Sequence, residues 1–401
     1  VGSEMCIRDS SMTNKIYEDL KYGDFKFADN GLTYYNINRD ETPEEIESNN
    51  KAYYDEQDSF IPKIIEDGFI EFPCLFNTYD EEIWLPFYFP PNFIPSCTNG
   101  FKEKFGMDFN IYIPTHKRAS TSYTFKELRR HGIENVYMVI EANQYPAYKE
   151  AFGIEHLIIK NSHVREPKIM DSMSSTQCSD SYRGAASIFL PLQILSRNLG
   201  EETYFTMDDD FMSFGIRQRK EPLEKDEDPT YDKDKWLRAS SLNPEDINFK
   251  EFLGDFGEVY KKIRNRGMMA LEKYGLCFAQ PFGNVVKGTR CYSAYITSND
   301  RQLDHYSRQN DDIITSLETS KAGYVNMVSE TISYASEDTQ NSKDGGGMDG
   351  VYHRFGTMDK SLCLIRSHPQ YTRATFKYNR IHHSADFSGY NKKRLLGEVI
   401  K

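Results

Sequence analysis

The sequence predicts an α/β fold in which a mostly parallel sheet carries helices on its faces. Short apolar runs alternate with helical segments from about residue 109 onward, and polar clusters follow the ends of those runs. Strands that alternate with helices form parallel sheets through right-handed crossovers. Such sheets bind ligands outside the carboxyl ends of their strands, so the polar clusters mark the expected site.

The first three predicted strands come in quick succession. FNIYI (109–113) ends in PTHKR, NVYMVI (135–140) ends at Glu141, and HLIIK follows as the third strand. Between them, TFKELRRHG is a predicted helix closed by Gly132, and YPAYKEAFG is a second helix. This order of elements predicts two consecutive βα units.

A longer helix, RGAASIFLPLQILSRNLG, leads to the fourth strand, TYFTM (203–207). Its apolar face consists of Ile188, Leu192, Leu195 and Leu199. Gly200 is the expected stop, and Pro191 should kink the helix or mark its true start.

Beyond residue 216 the pattern is less regular. RQRKEPLEKDEDPTYDKDKWLRASSLNPED is charged and rich in helix breakers, which favours a long surface excursion. FGEVYKKIRNRGMMALEKYG is predicted helical, CYSAYITS a strand, and NDDIITSLETSKAGYVNMVSETISYAS a helix, a stop at Gly323 and a strand.

Four segments follow from these patterns. Residues 1–11 look foreign, because VGSEMCIRDS, when back-translated, resembles a transposon-end adapter; we therefore expect a metagenomic source and a native start at Met12. Residues 12–106 form a predicted N-terminal appendage without clear periodicity. Residues 107–336 form the predicted core, and 337–401 a Gly-rich loop and a basic, aromatic C-terminal region.

Composition excludes several classes of protein. The formal net charge of −12 argues against indiscriminate coating of nucleic acid, although it permits a local basic groove. The seven cysteines show no paired spacing, which favours a reducing compartment and argues against a structural zinc site: Cys6, Cys74, Cys97, Cys178, Cys277, Cys291 and Cys363. With no apolar run of membrane-spanning length and no signal-peptide profile, we expect a soluble cytoplasmic protein.

Three consecutive carboxylates follow the fourth strand in YFTMDDDFMSFG. Two carboxylates about 4 Å apart repel by roughly 4 kcal/mol at an effective dielectric near 20, so the cluster needs a cation, protonation or solvent. If the strand continued, Asp208 and Asp210 would share a face and Asp209 would point away. Oxygen-only ligands suit Mg²⁺ or Mn²⁺. A solvated turn or a helix N-cap is the alternative.

Five motifs, taken in order, resemble the nucleotide-sugar-binding core of a GT-A-fold glycosyltransferase: IYIPTHKR, VYMVIEANQYPAY, RGAASIFLPLQILSRN, YFTMDDDF and NDDIITSLETSKAGY. They span roughly residues 109 to 336. Within that Rossmann-like fold, the sequence is most similar to the TET-associated glycosyltransferases, which resemble the base J glucosyltransferase and phage enzymes that glycosylate hydroxymethylated pyrimidines in DNA.

The resemblance implies roles for individual residues. Thr115 and Arg118 would hold the nucleotide, and Glu141 would contact its base or ribose. Arg183 would approach the diphosphate, where a guanidinium fork fits phosphate oxygens. Asp208 would contribute to both the donor and the metal site. Surface charges and a loop carboxylate are the plainer alternatives.

The resemblance also places an acidic pair opposite the acceptor, in QNDDIITSLETSKAG. An acceptor hydroxyl must lose its proton, and in an inverting enzyme a nearby carboxylate is the base. Because Asp is a preferred N-cap residue, we assign Asp311 as the cap and Asp312 as the base. A bound cation would stabilise the charge that develops on the departing diphosphate.

GT-A enzymes often take a further metal ligand from a C-terminal histidine, for which YNRIHHSADF offers His382 and His383. Both could also be ordinary surface residues. KDGGGMDGVYHRFG is dense enough in glycine to form a lid over the donor or a loop close to phosphate, or a plain flexible loop.

The C-terminal region combines cations with aromatic rings. Its cations are Arg366, Arg373, Lys377, Arg380, Lys392, Lys393 and Arg394, and its aromatic residues are Tyr371, Phe376, Tyr378, Phe387 and Tyr390. This composition is typical of a nucleic-acid groove. Alternatively, the segment binds the donor diphosphate or offsets acidic loops. A DNA acceptor would require base flipping into a pocket with an aromatic stacking residue.

The motifs and the resemblance together predict a metal-dependent glycosyltransferase, phage-encoded, that modifies the hydroxymethyl group of 5-hydroxymethylcytosine or 5-hydroxymethyluracil in DNA. That the donor is a UDP-sugar is implied by the resemblance alone. One alternative is the same fold with a small-molecule, polysaccharide or protein acceptor. A sugar nucleotidyltransferase is disfavoured, since no Gly-rich triphosphate loop follows the first strand. A DNA-binding module without catalysis is a third possibility. The sugar, the stereochemical outcome and the oligomeric state stay open.

Overall fold

The structure is a computed structural model, and it describes residues 41–77, 82–161, 186–216, 248–273, 285–301, 303, 307–336, 360–377 and 380–388. Its helices are α1 (Pro43–Glu66), α2 (Phe101–Phe105), α3 (Tyr123–Arg130), α4 (Tyr145–Phe152), α5 (Ala186–Asn198), α6 (Phe249–Lys261), α7 (Asp311–Lys321) and α8 (360–367). A short 3₁₀ turn, Ala142–Gln144, precedes α4.

The strands of the described chain form one large sheet and one small one. In the large sheet lie β1 (Ile70–Asn77), β2 (Glu82–Phe89), β3 (Ile111–Pro114), β4 (Val136–Glu141), β5 (Leu157–Lys160), β6 (Thr203–Met207), β7 (Phe211–Ile216), β8 (Arg266–Lys273), β9 (Val285–Lys287), β10 (Ala294–Ser298) and β11 (Val325–Ser336). The small sheet pairs β12 (Thr372–Lys377) with β13 (Arg380–Ala385).

The large sheet runs in the order β1-β2-β5-β4-β3-β6-β10-β8-β11-β7, and β9 pairs with β11. The four strands β5, β4, β3 and β6 are mutually parallel, as their alternation with helices predicts. β8 and β11 are also parallel, whereas the remaining pairs are antiparallel. The predicted α/β fold class is confirmed, with the parallel strands at its centre and antiparallel strands on both sides.

The two faces of the parallel strands bury different apolar sets. On one face, Ile111, Met138 and Phe205 pack with residues of α3, α4 and α6. On the other, Tyr112 and Tyr137 pack with residues of α5 such as Leu192 and Leu195. Side chains alternate between faces because successive residues of a strand point in opposite directions. Helices therefore cover both faces, as in a doubly wound sheet.

Helix α5 has the apolar face that its spacing predicts. Leu192 and Leu195 are fully buried, and Ile188 and Leu199 pack against the same cluster. Pro191 lies inside the helix, which runs to Asn198, and Gly200 follows with φ +74°. That left-handed conformation favours glycine and ends the helix.

The predicted helix over FGEVYKKIRNRGMMALEKYG is half wrong. α6 ends at Lys261, and β8 begins at Arg266. Met268 through Leu271 are buried between β10 and β11. Tertiary packing between two neighbouring strands therefore outweighs the moderate helical preference of Met, Ala and Leu.

Residues ahead of the predicted core also contribute to the architecture. β1 and β2 form an antiparallel hairpin that extends the sheet through β5, and α1 packs over the 3₁₀ turn after β4. α1 starts with a capping box between Thr42 and Glu45. The predicted segments 1–40, 217–247 and the Gly-rich stretch lie outside the described residues.

Candidate functional site

The candidate site lies where the direction of sheet winding reverses. From β3 the chain moves through β4 to β5, and it then returns along the opposite face of the sheet to β6, on the other side of β3. The carboxyl ends of β3 and β6 therefore open onto a switch point, where such sheets bind ligands. β3 ends at Pro114, next to Thr115, and β6 ends at Met207, next to Asp208.

The three carboxylates do not continue the strand. β6 stops at Met207, and Asp209 and Asp210 form a turn before β7. The strand alternation expected for Asp208 and Asp210 is therefore wrong. The turn is fixed instead by Thr124, whose hydroxyl donates to the Asp208 carbonyl at 2.6 Å and accepts from the Phe211 amide at 2.9 Å.

Asp209 is bound by the segment that follows β3. Thr115 Oγ1 donates to Asp209 Oδ2 at 2.6 Å, and Arg118 Nη1 donates to Asp209 Oδ1 at 2.7 Å. The Tyr148 hydroxyl lies 2.7 Å from Thr115 Oγ1 and accepts from the Arg118 amide at 3.0 Å. Thr115 and Arg118, for which the resemblance implies nucleotide contacts, thus bridge the switch point by binding the middle carboxylate.

The surroundings of the two outer carboxylates, Asp208 and Asp210, disfavour their ionised forms. Burial raises the pKa of Asp208 well above its usual value, and the charge of Asp210 adds to that rise. Burial, followed by the charge of Asp209, raises the pKa of Asp210 to about 6, although Arg118 Nη1 lies 3.7 Å from its Oδ2. Raised values mean that added positive charge would stabilise the ionised forms.

A tight loop from β9 to β10 supports Asp208. The Asp208 amide donates to the Ser293 carbonyl at 2.7 Å, and the Ser293 side chain opposes the rise that burial imposes on the Asp208 pKa. Ser293 has φ +44°, a left-handed conformation that is strained for a residue other than glycine. Strain of this kind persists only where the surrounding structure enforces it, and the hydrogen bond from the Asp208 amide is one of the contacts that hold this loop.

The acidic pair lies at the start of α7 as predicted, but the N-cap position belongs to Asn310. Asp311 is the first helical residue and is buried, so its assignment as the cap is wrong. Asn310 has φ +56° and donates from its side chain to the Lys360 carbonyl at 2.6 Å. The acids instead sit in the first turn, where the helix dipole favours negative charge.

Asp312 is the member of the pair with a shifted pKa. Burial raises it to about 6, against the opposing charges of Lys360 and Arg290. The charge of Asp312 in turn contributes to the raised pKa of Asp208. The start of α7 and the end of β6 are therefore close enough for the charges of Asp312 and Asp208 to interact.

Glu141 ends β4 but is enclosed by other residues. Tyr53 of α1 donates to its Oε1, and His116 Nδ1 lies 3.4 Å from its Oε2. Burial alone would raise its pKa, but His116, Lys160 and Tyr53 outweigh burial and lower it to about 2. Its role at the base or ribose stays a prediction, and any nucleotide there would also meet α1.

The histidines of β13 contact α8 and each other. His383 Nδ1 is 3.2 Å from Ser361 Oγ on α8, and the His382 ring stacks on His383. Within the described ranges, no group of three or more His, Cys, Asp or Glu side chains is arranged to hold a metal ion. The predicted third ligand is therefore not brought to Asp208 and Asp210. Arg183 lies outside the described residues.

The carboxylates nevertheless fit a hard divalent cation. Asp208 and Asp210 offer oxygen ligands whose pKa values are raised by burial and mutual repulsion, so a cation would relieve both effects. Mg²⁺ commonly uses one or two carboxylates and completes its shell with waters and substrate phosphates. A third protein ligand is not required.

The mixed α/β sheet with helices on both faces is consistent with the Rossmann-like fold of glycosyltransferases. The family model described as TET-Associated Glycosyltransferase matches residues 109–347, and the chain belongs to this family. No curated protein and no solved structure shows a significant match to the chain. In the parts of the chain that the structure describes, no helix is long and apolar enough to cross a membrane.

Sequence reasoning missed three residues of this region. Tyr53 is separated from Glu141 by 88 positions, and Ser293 and Arg290 belong to a loop without a motif. The single available signal was the position of GTRCYSAYITS, directly before a predicted strand. That signal does not distinguish a supporting loop from any other connection.

Proposed function

We propose that the protein transfers a sugar from a UDP-sugar to the hydroxymethyl group of a modified pyrimidine in DNA, with Mg²⁺ or Mn²⁺ bound by Asp208 and Asp210. The observation that carries this proposal is the convergence of the carboxylate turn and the acidic start of α7 at the switch point. Family membership supplies the reaction class. A bound cation would stabilise negative charge on the departing diphosphate.

In an inverting displacement, the acceptor hydroxyl oxygen bonds to the anomeric carbon while the bond from that carbon to the diphosphate oxygen breaks. The hydroxyl proton passes to the Asp312 carboxylate, and the electron pair leaves with the diphosphate. A carboxylate whose pKa is about 6 is mostly ionised at neutral pH yet basic enough to accept a proton in the transition state. Asp209, bound by Thr115 and Arg118, fixes the turn that presents Asp208 and Asp210.

The DNA acceptor is supported by the cations on the surface of the C-terminal elements. Arg366 on α8 and Arg373 on β12 are exposed. α8 packs on α7 through Cys363 and Leu364, which places this surface beside the helix that carries Asp312. Phe387, by contrast, is buried in the same cluster and is not available to stack on a base.

The test is a transfer assay with UDP-sugars, Mg²⁺ or Mn²⁺, and duplex DNA that contains 5-hydroxymethylcytosine, 5-hydroxymethyluracil or neither. Mass spectrometry of the digested nucleosides should show a sugar-sized gain on one modified base. Asp210→Asn should abolish the gain, whereas Asp255→Asn, an equal charge change on the exposed face of α6, should preserve it. Transfer to proteins, polysaccharides or small molecules in place of DNA would overturn the proposed acceptor, and transfer by Asp210→Asn at the wild-type rate would overturn the metal site.

A further inference from the structure

The loop between β9 and β10 contains an arginine that makes no close ion pair with the described residues, although the charges of Asp312 and Glu272 act on it at longer range. In the described part of the chain, the Arg290 guanidinium makes no hydrogen bond and no ion pair, and its Nε atom is buried. Its central carbon lies 4.9 Å from the centroid of the Tyr292 ring. Arg290 is only partly buried, so its terminal nitrogens are available to an anionic ligand.

Other partly buried arginines near the sheet use their terminal nitrogens, although their Nε atoms, like that of Arg290, have no hydrogen-bond partner among the described residues. Arg266 donates to the carbonyl groups of Lys261 and Ile263, and Arg301 donates to the Gly267 carbonyl and to Asp300. All three guanidinium groups stack on tyrosine rings, but within the described residues only the terminal nitrogens of Arg290 make no hydrogen bond. The donors are therefore oriented in advance for a ligand.

Backbone contacts place Arg290 between the two acidic groups. The amide of the next residue, Cys291, donates to Ser316 Oγ at 2.9 Å, and Ser316 Oγ donates to the Asp312 carbonyl at 2.7 Å. Three residues after Arg290, the Ser293 carbonyl accepts from the Asp208 amide at 2.7 Å. The loop 290–293 is thus attached on one side to the candidate base and on the other to the carboxylate turn.

We propose that Arg290 binds the diphosphate of the nucleotide sugar and stabilises the charge that develops on it as the sugar departs. The inference rests on the proposed function, since it names a residue of the donor site. A planar guanidinium can donate two parallel hydrogen bonds to phosphate oxygens, which a point charge cannot do. Its loop also binds Asp208 through Ser293, so Arg290 and a cation held by the carboxylates would act on the same diphosphate and share the leaving charge.

The test is calorimetric titration of the whole protein with inorganic pyrophosphate and with uridine in the presence of Mg²⁺. Arg290→Gln should weaken pyrophosphate binding by about 10- to 100-fold, the range for loss of a charged hydrogen-bonded pair. Arg290→Lys should recover part of the affinity. Uridine binding should not change, and Arg197→Gln, an equal charge change on the exposed end of α5, should bind both probes like the wild type.

Three results would overturn the inference. One is undiminished pyrophosphate affinity in Arg290→Gln, or no pyrophosphate binding by the wild type. Another is a shift in the pH dependence of transfer with unchanged pyrophosphate affinity, which would mean that Arg290 only tunes Asp312. The third is loss of DNA affinity alone, which would assign the anion to the acceptor backbone. Because binding is read without turnover, failure of the proposed transfer reaction would leave this measurement valid.

Discussion

Asp209 lies between two other carboxylates, yet its own side chain is the one that Thr115 and Arg118 bind. The cost of burying its charge is offset within the protein, because Arg118 and Thr115 both oppose the rise that burial imposes on its pKa. Among the described residues, no partner offsets the charges of Asp208 and Asp210 to the same degree, and Arg118 approaches Asp210 only to 3.7 Å. The difference separates a carboxylate that is paired within the protein from the two that would pair with the proposed cation.

The raised pKa values of Asp210 and Asp312 predict how stability depends on pH. Both are about 6 in the folded protein and 3.8 in the reference state. Between these values the folded state binds more protons than the unfolded state, so the free energy of unfolding should fall as pH rises from about 4 to about 6. Carboxylates with a lowered pKa, such as Glu141, change the free energy of unfolding mainly below pH 4.5, so they should not mask this trend.

Mg²⁺ should restore the stability that is lost as pH rises, because it binds the ionised carboxylates of Asp208 and Asp210. A ligand at 100 times its dissociation constant adds about 2.7 kcal/mol, so the melting temperature should rise by several degrees at pH 7.5 and much less at pH 5. Thermal unfolding with and without Mg²⁺ measures this difference. Asp210→Asn should lose most of the rise and Asp255→Asn should keep it; an equal effect of Mg²⁺ at both pH values would contradict the assignment of the site.

At the scale of elements, β8 depends on a close approach to the end of α7 and the start of β11. A Cβ on Gly267 would lie 2.4 Å from Asn326 Oδ1 and 2.9 Å from Thr319 Cγ2. Asn326 Oδ1 accepts from the Met268 amide at 3.0 Å, and its side-chain nitrogen donates to the Ser316 carbonyl. Asn326 therefore connects β8 to the helix that carries Asp312, and only glycine leaves room for it.

Gly267→Ala should lower the free energy of unfolding by about 2 to 3 kcal/mol, since it combines overpacking with displacement of a buried hydrogen-bonded amide. Denaturant unfolding provides the measurement. Gly100→Ala is the comparison, because a Cβ there meets no atom within 4 Å and should cost only about 1 kcal/mol through its left-handed φ of +81°. If the two variants were equally stable, the close approach at Gly267 would not be limiting.

On the scale of the whole molecule, the local periodicity of apolar residues was sufficient to predict the parallel strands at the centre of the sheet. Strands β3 to β6 and helices α3 to α5 each carry an apolar pattern of their own, and their alternation dictates parallel pairing. The hairpin of β1 and β2 could not be predicted in this way, because it is defined by pairing with β5 across about 70 positions. β8 was mistaken for helix for the same reason, as its buried run is decided by its neighbours.

The parts of the site that consist of residues adjacent in the sequence could be predicted. The acidic turn and the acids of α7 follow strand and helix ends directly, so their types and positions could be read from the sequence. Their partners could not be, because Thr115, Arg118 and Ser293 reach Asp208 and Asp209 only through the fold. Aromatic residues were equally ambiguous, since a ring such as Phe387 can stack on a base or pack in a core.

The contrast between net charge and local charge gives a final prediction. A chain with a formal charge of −12 should bind DNA only through a small cationic surface, so few phosphates would be neutralised. Plots of log affinity against log salt should be linear with a shallow slope, to which each phosphate contact contributes about 0.9. Arg366→Gln and Arg373→Gln, which alter exposed cations of the C-terminal elements, should each reduce the slope by about 1.

Fluorescence anisotropy with a duplex that contains a hydroxymethylated pyrimidine measures these slopes. Arg197→Gln removes the same charge from the exposed end of α5 and should leave the slope unchanged, which separates a local contact from the effect of net charge. Equal slopes in all three variants would locate DNA elsewhere on the surface. Absence of any salt-dependent binding would argue against a DNA acceptor, because an acidic protein has no other long-range means of attracting a polyanion.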